Sequence, residues 1–370
     1  MFIHPGNDFN INCSTFNFST NHSSNQPLTI PSFMHTEKLD LPRRREQAVI
    51  ALDANESPFN APDNRYPREE WIELCTLYGR HERIPQPCIY FCNGTEEAID
   101  LSMRAFLLKP QAKVVSVSPT RSIYGRRAAI NRAAYVEVPL RADDFSLDLN
   151  ALLGAIDDHT EMVILCSPNS PTGNLLSKSD IEELVQLFDG LIVLDESYVD
   201  FNPRASLLSL LNQYRNLVVL RSFSHAWSAA GLRLAAAIAH PDVIERLRSV
   251  GLTHPLSTPV IRLARQMLAR RMDVDKWVRQ IIEERTKVEL ALKELPDCLH
   301  IYPSSANFLL VRFADACAVY KYLKQQGIAV RPYMGCLRLT IGLPNENSAL
   351  LGALRRRKDN KADEKGGAKE

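Results

Sequence analysis

Two side chains in the middle of this 370-residue chain could hold a charged ring and move protons. Asp195 directly follows the apolar run 191–194, which places its carboxylate at the C-terminal end of a predicted buried strand, where ligands bind in parallel sheets. Such a carboxylate could keep the ring nitrogen of a bound heterocycle protonated; alternatively, it caps a helix or lies in a loop. His225 could accept and return protons, because imidazole has an ordinary pKa near ~6.5.

A second group of residues could bind a phosphate. Gly94 and Thr95 open a predicted helix, whose free N–H groups and dipole favour an anion, although Thr95 could equally be an ordinary N-cap. Ser222, Ser224 and Arg233 flank His225 and add two hydroxyls and a guanidinium. Each feature alone is weak evidence, and their combination predicts a phosphate site.

Alternating apolar runs and amphipathic stretches predict the elements that position these side chains. Nearly continuous apolar runs, typical of strands buried on both faces, occur at 113–118, 134–140, 162–166, 191–194, 217–223 and 234–239. Helices are predicted at 96–108 and 179–188, with Pro241 in the first turn of another. This alternation predicts an α/β fold with a mostly parallel sheet.

A second, smaller α+β domain is predicted after the sheet. A long helix from about Asp273 to Leu295 precedes strands at 300–302, 308–313 and 337–341, with a helix at 315–326. We therefore divide the chain into a disordered leader, an N-terminal segment joining the small domain, a large domain, the small domain and a disordered tail. The respective ranges are 1–36, 37–60, 61–265, 266–357 and 358–370.

Composition argues against several other classes of protein. The net charge of +1 provides no field to attract nucleic acid or anionic lipid, and no apolar run reaches the ~18 residues that would span a bilayer. The eight cysteines are scattered without a Cys-x-x-Cys pair, so we expect reduced thiols, no metal site and a cytoplasmic location.

The order of these motifs resembles a known family. From about Leu52 to Leu354 the chain is similar to fold-type-I pyridoxal-phosphate-dependent aminotransferases of class I/II, and most of all to the histidinol-phosphate aminotransferases. The matching segments are Leu-Asp-Ala-Asn-Glu-Ser-Pro-Phe (52–59), Asn-Arg-Tyr-Pro (64–67), Asn-Gly-Thr-Glu-Glu-Ala-Ile-Asp (93–100), Ser-Pro-Asn-Ser-Pro-Thr-Gly-Asn (167–174), Leu-Asp-Glu-Ser-Tyr (194–198), Arg-Ser-Phe-Ser-His-Ala-Trp-Ser-Ala-Ala-Gly-Leu-Arg (221–233), Pro-Leu-Ser-Thr-Pro (255–259) and Gly-Cys-Leu-Arg-Leu-Thr-Ile-Gly (335–342).

The resemblance implies a role for each matching residue. Asp195 would pair with the pyridine nitrogen of the cofactor, and Tyr198 would hydrogen-bond its phenolic oxygen. Tyr66 would reach the cofactor phosphate of the neighbouring subunit, which implies a homodimer. The phosphate cup would comprise Gly94, Thr95, Glu96, Ser222, Ser224 and Arg233, with Gly94 and Glu96 contributing mainly backbone. Asn55, Arg331 and Arg338 would bind the substrate, an amino donor or 2-oxo acid; for Arg338 the alternative is a surface charge on a strand.

The sequence departs from the family pattern within the expected site. His225 stands where the family has the lysine that forms a Schiff base with the cofactor, and imidazole cannot form that imine. Arg121 stands at the position of an aromatic residue that stacks on the cofactor ring, where a guanidinium would be repelled by a pyridinium. Ser170 replaces a frequent asparagine, and the loop between Arg331 and Arg338 is short.

Three hypotheses follow from these departures. The chain is an aminotransferase of the histidinol-phosphate type with impaired or altered chemistry, acting in histidine biosynthesis. Alternatively, His225 is the base of a different reaction on bound pyridoxamine phosphate, as in sugar dehydratases of this fold. The third hypothesis is a non-catalytic protein that binds the cofactor or a phosphorylated ligand. Where the cofactor binds, we expect pyridoxal or pyridoxamine phosphate to be held non-covalently.

Overall fold

The structure, a computed structural model, describes residue 52, residues 54–67 and residues 70–366, with side chains described through Arg357. The helices are α1 (Glu70–Glu82), α2 (Thr95–Phe106), α3 (Ile123–Ile130), α4 (Leu149–Gly154), α5 (Lys178–Leu187), α6 (Pro241–Val250), α7 (Thr258–Ala269), α8 (Arg271–Lys293), α9 (Ala316–Gln325) and α10 (Pro344–Gly366). The strands are β1 (Ile89–Cys92), β2 (Lys113–Ser118), β3 (Ala134–Pro139), β4 (Thr160–Cys166), β5 (Leu191–Asp195), β6 (Leu217–Ser222), β7 (Ala235–Ala239), β8 (Cys298–Tyr302), β9 (Phe308–Phe313), β10 (Arg331–Tyr333) and β11 (Cys336–Thr340).

A seven-stranded, mostly parallel sheet forms the large unit, with strand order β1-β7-β6-β5-β4-β2-β3. The strands from β3 to β6 run parallel, whereas β7 is antiparallel to both of its neighbours. Side chains of β4 alternate between two cores, Val163 and Leu165 on one face and Met162 and Ile164 on the other. Burial on both faces explains why these strands are continuous apolar runs. The predicted α/β architecture is therefore confirmed.

A four-stranded antiparallel sheet, in the order β10-β11-β9-β8, forms the second unit. Helix α8 contributes to both units: Val274 and Val278 lie in the core of the large sheet, whereas Val288 and Leu292 lie in the core of the small one. The two predicted domains therefore share one continuous helix. It begins at Arg271, shortly after the predicted domain boundary at 265/266.

The last helix is longer than its apolar pattern indicates. Leu350, Ala353 and Leu354 pack into the small core, but α10 continues through Gly366, into the segment 358–370 that we assigned to a tail. Lysine, glutamate and alanine in this segment have good helix propensity, so the backbone continues the helix beyond its last core contact. The predicted leader, 1–36, lies outside the described residues. Among the described helices, none combines the length and apolar character needed to cross a membrane.

Candidate cofactor and substrate site

The predicted site residues of the large unit meet at the carboxyl edge of its parallel strands. Asp195 ends β5, Ser222 ends β6, and Ser170 and Arg121 lie in the loops that follow β4 and β2. Because these strands are parallel neighbours, the loops that follow them converge at the same edge of the sheet. The topology thus brings together Arg121 and Ser222, which are 101 positions apart in sequence.

Asp195 is fully buried and both of its carboxylate oxygens are engaged. Ser197 donates to Oδ1 through its backbone N–H, at 3.0 Å, and through its hydroxyl. The Tyr124 hydroxyl donates to Oδ2 at 2.8 Å, and the Arg121 guanidinium donates to the same oxygen through Nη1. A buried carboxylate needs such partners, because an unpaired charge in this environment is costly.

The family pattern has an aromatic residue at position 121 that stacks on the cofactor ring, whereas the Arg121 side chain is directed to Asp195. Its Nη1 forms an ion pair with Asp195 and also lies 3.4 Å from both the Thr95 Oγ1 and the Ser197 Oγ. Burial works to lower the pKa of Arg121, but the charge of Asp195, with a smaller effect from Tyr124, raises it well above its ordinary value. Arg121 thus remains a permanent cation at the point where Asp195 was expected to meet a ligand.

His225 lies in the loop after β6 and its ring stacks on that of Tyr198, with centroids 4.3 Å apart and an interplanar angle of 22°. The pKa of His225 is lowered to about 4, first by burial and then by the charge of Arg121. Asp195 opposes this shift, while Arg338 and Arg233 reinforce it. His225 is consequently neutral at pH 7.

The expected phosphate cup lies at the start of α2. Gly94 occupies the N-cap with φ +83°, so Thr95 is the first helical residue and not the N-cap that we considered as the alternative. A Cβ on Gly94 would lie 2.7 Å from Nη2 of Arg233, so only glycine lets this guanidinium approach the helix terminus. The first backbone amides of α2 and the Arg233 guanidinium thus lie on one side of the site, with Arg233 Nη1 donating to the Ala230 carbonyl at 3.3 Å.

Other members of the predicted cup already have partners within the chain. The Ser222 hydroxyl accepts a hydrogen bond from the backbone N–H of Ser224, at 3.1 Å. The Glu96 carboxylate accepts from Arg127 of α3. The side chain of Glu96 is therefore directed to α3, which leaves its backbone N–H in the first turn of α2.

The two expected substrate arginines face each other across β10 and β11 of the small sheet. Arg338 is half-buried; its Nη1 donates to the Ser170 hydroxyl at 3.0 Å, and its guanidinium lies 5.3 Å from the centre of the Phe308 ring. Burial lowers the pKa of Arg338, and the charges of Arg331 and Arg121 lower it further, against an opposing effect of Tyr198. The small unit thus adds positive charge to the edge of the large sheet.

Tyr66 and Asn55 lie in the exposed N-terminal segment of the described chain. Tyr66 stacks on His254 of its own chain, with ring centroids 4.8 Å apart and planes 10° apart. Asn55 is exposed and has φ +54°. Among the contacts of the described residues, none joins either side chain to Asp195 or His225. Their expected roles toward a neighbouring subunit and a substrate stay predictions.

Tyr124 and Ser197 are site residues that our sequence analysis did not assign. Ser197 belongs to the matching segment Leu-Asp-Glu-Ser-Tyr, and Tyr124 lies three residues after Arg121. The bond from the Ser197 backbone N–H could have been inferred, since an aspartate carboxylate commonly accepts from the N–H two residues further on. Tyr124 reaches Asp195 only because α3 packs beside the sheet, which no local pattern indicates.

These residues fit one half of pyridoxal phosphate and not the other. The amides at the start of α2, Thr95 and Arg233 fit a phosphate. For the ring, position 225 offers no primary amine, and the carboxylate expected to meet the pyridine nitrogen already pairs with Arg121. As the side chains stand, the site does not fit the ring of the cofactor.

Comparisons with known proteins agree with this architecture. The family model described as aminotransferase class I and II matches residues 18–354. Histidinol-phosphate aminotransferases of Bacteroides fragilis and Bacteroides thetaiotaomicron are 39% and 37% identical, over 84% and 90% of this chain and 91% and 98% of their own lengths.

Solved structures share the fold at lower identity. The histidinol-phosphate aminotransferase from Clostridium acetobutylicum superposes with a TM-score of 0.75 at 20% identity, covering 80% of this chain and 92% of that one. The Sinorhizobium meliloti enzyme, solved in complex with pyridoxal-5'-phosphate, gives 0.71 at 23% identity, covering 81% and 88%. Family model, relatives and fold all agree, and the chain belongs to the class I and II aminotransferases, which are pyridoxal-phosphate-dependent enzymes.

Proposed function

We propose that this chain recognises a phosphorylated amine of the histidinol-phosphate type, and that its amino transfer to a 2-oxo acid such as 2-oxoglutarate is severely impaired. The curated relatives named histidinol-phosphate aminotransferase support the substrate class. The observation that carries the impairment is His225, a neutral imidazole at the position where the family pattern has a lysine.

Recognition of the phosphorylated substrate depends on the arginines of the small sheet. Arg338 and Arg331 are paired in register, and Arg338 is held toward the large unit by its hydrogen bond to Ser170. A guanidinium presents two parallel N–H donors that match phosphate or carboxylate oxygens, and partial burial strengthens such bonds. This surface is therefore suited to a dianionic group.

Impairment follows from the chemistry of imidazole and its surroundings. The lysine of the family is both a covalent attachment point and an acid–base group, and His225 cannot replace the first role. A pKa lowered to about 4 also makes His225 a weak base at neutral pH. Loss of general acid–base help alone costs about 10²–10⁴-fold in rate.

Two further properties belong to the proposal. A homodimer is supported by the family pattern at Tyr66 and by the exposure of Leu52, Phe59 and Tyr66.

A cytoplasmic location is supported by the bacterial biosynthetic relatives and the free cysteines of the described residues.

The test separates binding from turnover. Amino transfer from histidinol phosphate to 2-oxoglutarate is measured with added pyridoxal phosphate, alongside the Bacteroides fragilis relative; we expect a rate at least about 10³-fold lower. Binding of histidinol phosphate is measured by calorimetry on the wild type, Arg338→Ala and Arg312→Ala. Arg338→Ala should weaken binding about 10–100-fold, because it removes charge-assisted hydrogen bonds.

Arg312 serves as the matched control, since it lies on the adjacent strand β9 and its guanidinium donates to the Tyr302 hydroxyl. A wild-type rate within tenfold of the relative would contradict the impairment. Equal affinities of wild type and Arg338→Ala would contradict the recognition.

A further inference from the structure

Arg121 forms an ion pair with Asp195, the carboxylate that the family pattern pairs with the pyridine nitrogen of the cofactor. Asp195 is fully buried at the end of β5, and its Oδ2 accepts from both the Arg121 guanidinium and the Tyr124 hydroxyl. Its Oδ1 accepts from Ser197 twice. The positive charge that balances Asp195 thus comes from the chain itself.

Arg121 is held in this position by the loops on either side of it. The Thr120 hydroxyl donates to Asn169 Oδ1 at 2.7 Å, and Asn169 Nδ2 donates to the Pro119 carbonyl at 2.8 Å. On the other side, the Arg121 carbonyl accepts from the Tyr124 N–H at 3.2 Å, as α3 begins. Because Asn169 is fully buried, this anchor is rigid, and the guanidinium can reach Asp195 without ordering a mobile segment.

A cationic ring entering the site would have to displace Arg121 and would remain close to it. The surroundings already contain Arg233 and Arg338, whose charges act on His225 together with that of Arg121. Displacement would leave the guanidinium without its carboxylate in a site where its side chain is only 23% exposed. Breaking a largely buried ion pair is expensive, and a neighbouring second cation adds repulsion.

We propose that Arg121 is a built-in counter-ion of Asp195 that takes the place of the cofactor's ring nitrogen and excludes pyridoxal and pyridoxamine phosphate from this site. Arg121 is thus the residue that determines cofactor binding, separately from the loss of the lysine. The inference concerns cofactor affinity, whereas the proposed function concerns substrate recognition and turnover at the same site.

The test measures the affinity of pyridoxamine phosphate, which has no aldehyde to react with surface lysines. Binding is followed by calorimetry on the wild type, Arg121→Phe and Arg126→Phe. Arg121→Phe frees Asp195 and supplies an aromatic face, so we expect its affinity to exceed that of the wild type about 100-fold or more. Arg126 lies on α3 and is exposed, so the same substitution there should leave the affinity at the wild-type value.

Circular dichroism establishes that each variant folds. If Arg121→Phe does not fold, Arg121→Gln makes the same comparison, because it removes the charge and keeps a hydrogen-bond donor for Asp195. Equal affinity of the wild type and the folded Arg121 variant, whether both are tight or both are undetectable, would overturn the inference. Tight wild-type binding without amino transfer would overturn it and leave the proposed function standing.

Discussion

At the residue scale, His225 differs in both charge and basicity from the lysine that the family pattern has at this position. It lies flat against Tyr198 and is neutral, with three arginines acting to keep it so. A general base works best when its pKa lies near the operating pH, and a pKa of about 4 is far below it. This disfavours the hypothesis that His225 is the base of another reaction, because an imidazole with a pKa of about 4 has little tendency to accept a proton at neutral pH.

The depressed pKa of His225 predicts a specific dependence of stability on pH. Between the unfolded value near ~6.5 and the folded value of about 4, the unfolded chain binds more protons, so the free energy of unfolding falls as pH falls through this window. His225→Gln removes this contribution. On going from pH 7 to pH 4.5, we expect the wild type to lose about 2 kcal/mol more stability than the variant.

Urea unfolding at the two pH values measures the stability difference, and the histidine resonance that disappears in His225→Gln reports the pKa directly. A folded-state pKa near ~6.5 for that resonance would show that burial and the neighbouring arginines do not act as we describe.

At the scale of elements, the central strands could be predicted from sequence because they are buried on both faces. Strand β2 has the predicted bounds, and β4, β5 and β6 differ from their predicted ranges by one or two residues. Strands β1 and β10 were not predicted. The first has four residues and directly follows a proline-rich turn, and the second has three residues, one of them a proline. Both are too short to show a period.

The residue types of the site could also be predicted, but not their pairing. Motif order predicted that Asp195, His225 and Arg121 surround one ligand, and in the structure Arg121 pairs with Asp195 while the charges of both act on His225. The ion pair between Arg121 and Asp195 joins positions far apart in sequence, and depends on how Asn169 fixes the loop after β2. Such contacts between loops arise from tertiary packing, and neither spacing nor composition encodes them.

The backbone conformation of the turn before α2 predicts that substitution of Gly94 is strongly destabilising. Its φ of +83° and ψ of 166° belong to a region that only glycine populates readily, and a Cβ there would collide with the Arg233 guanidinium. We expect Gly94→Ala to lower the free energy of unfolding by about 1–3 kcal/mol, measured by urea unfolding. Gly154→Ala is the matched control: Gly154 ends α4, is exposed, and has open space around its Cβ position. It should lie within about 1 kcal/mol of the wild type. Equal effects of the two substitutions would refute the strain at Gly94.

At the scale of the whole molecule, a chain of net charge +1 concentrates positive charge at one place. Arg121, Arg233 and Arg338 all act on His225, with Asp195 as the opposing charge. Clefts lined by one sign of charge attract oppositely charged small molecules, even on a nearly neutral protein. The net charge of the whole chain does not reveal this local concentration of positive charge.

The exposed side chains of Leu52, Phe59 and Tyr66 indicate where two copies of the molecule associate. Phe59 is 78% exposed, Leu52 is 87% exposed, and Tyr66, which the family pattern directs toward a neighbouring subunit, is 53% exposed. Exposed apolar side chains grouped on one segment favour burial against a second copy. We therefore expect the wild type to sediment as a dimer at micromolar concentration, and Phe59→Asp to weaken association at least about tenfold, since burying an unpaired carboxylate is costly. Leu299→Asp, at an exposed position of β8, should leave the dimer unchanged. A monomeric wild type, or equal weakening by both substitutions, would remove this segment from the interface.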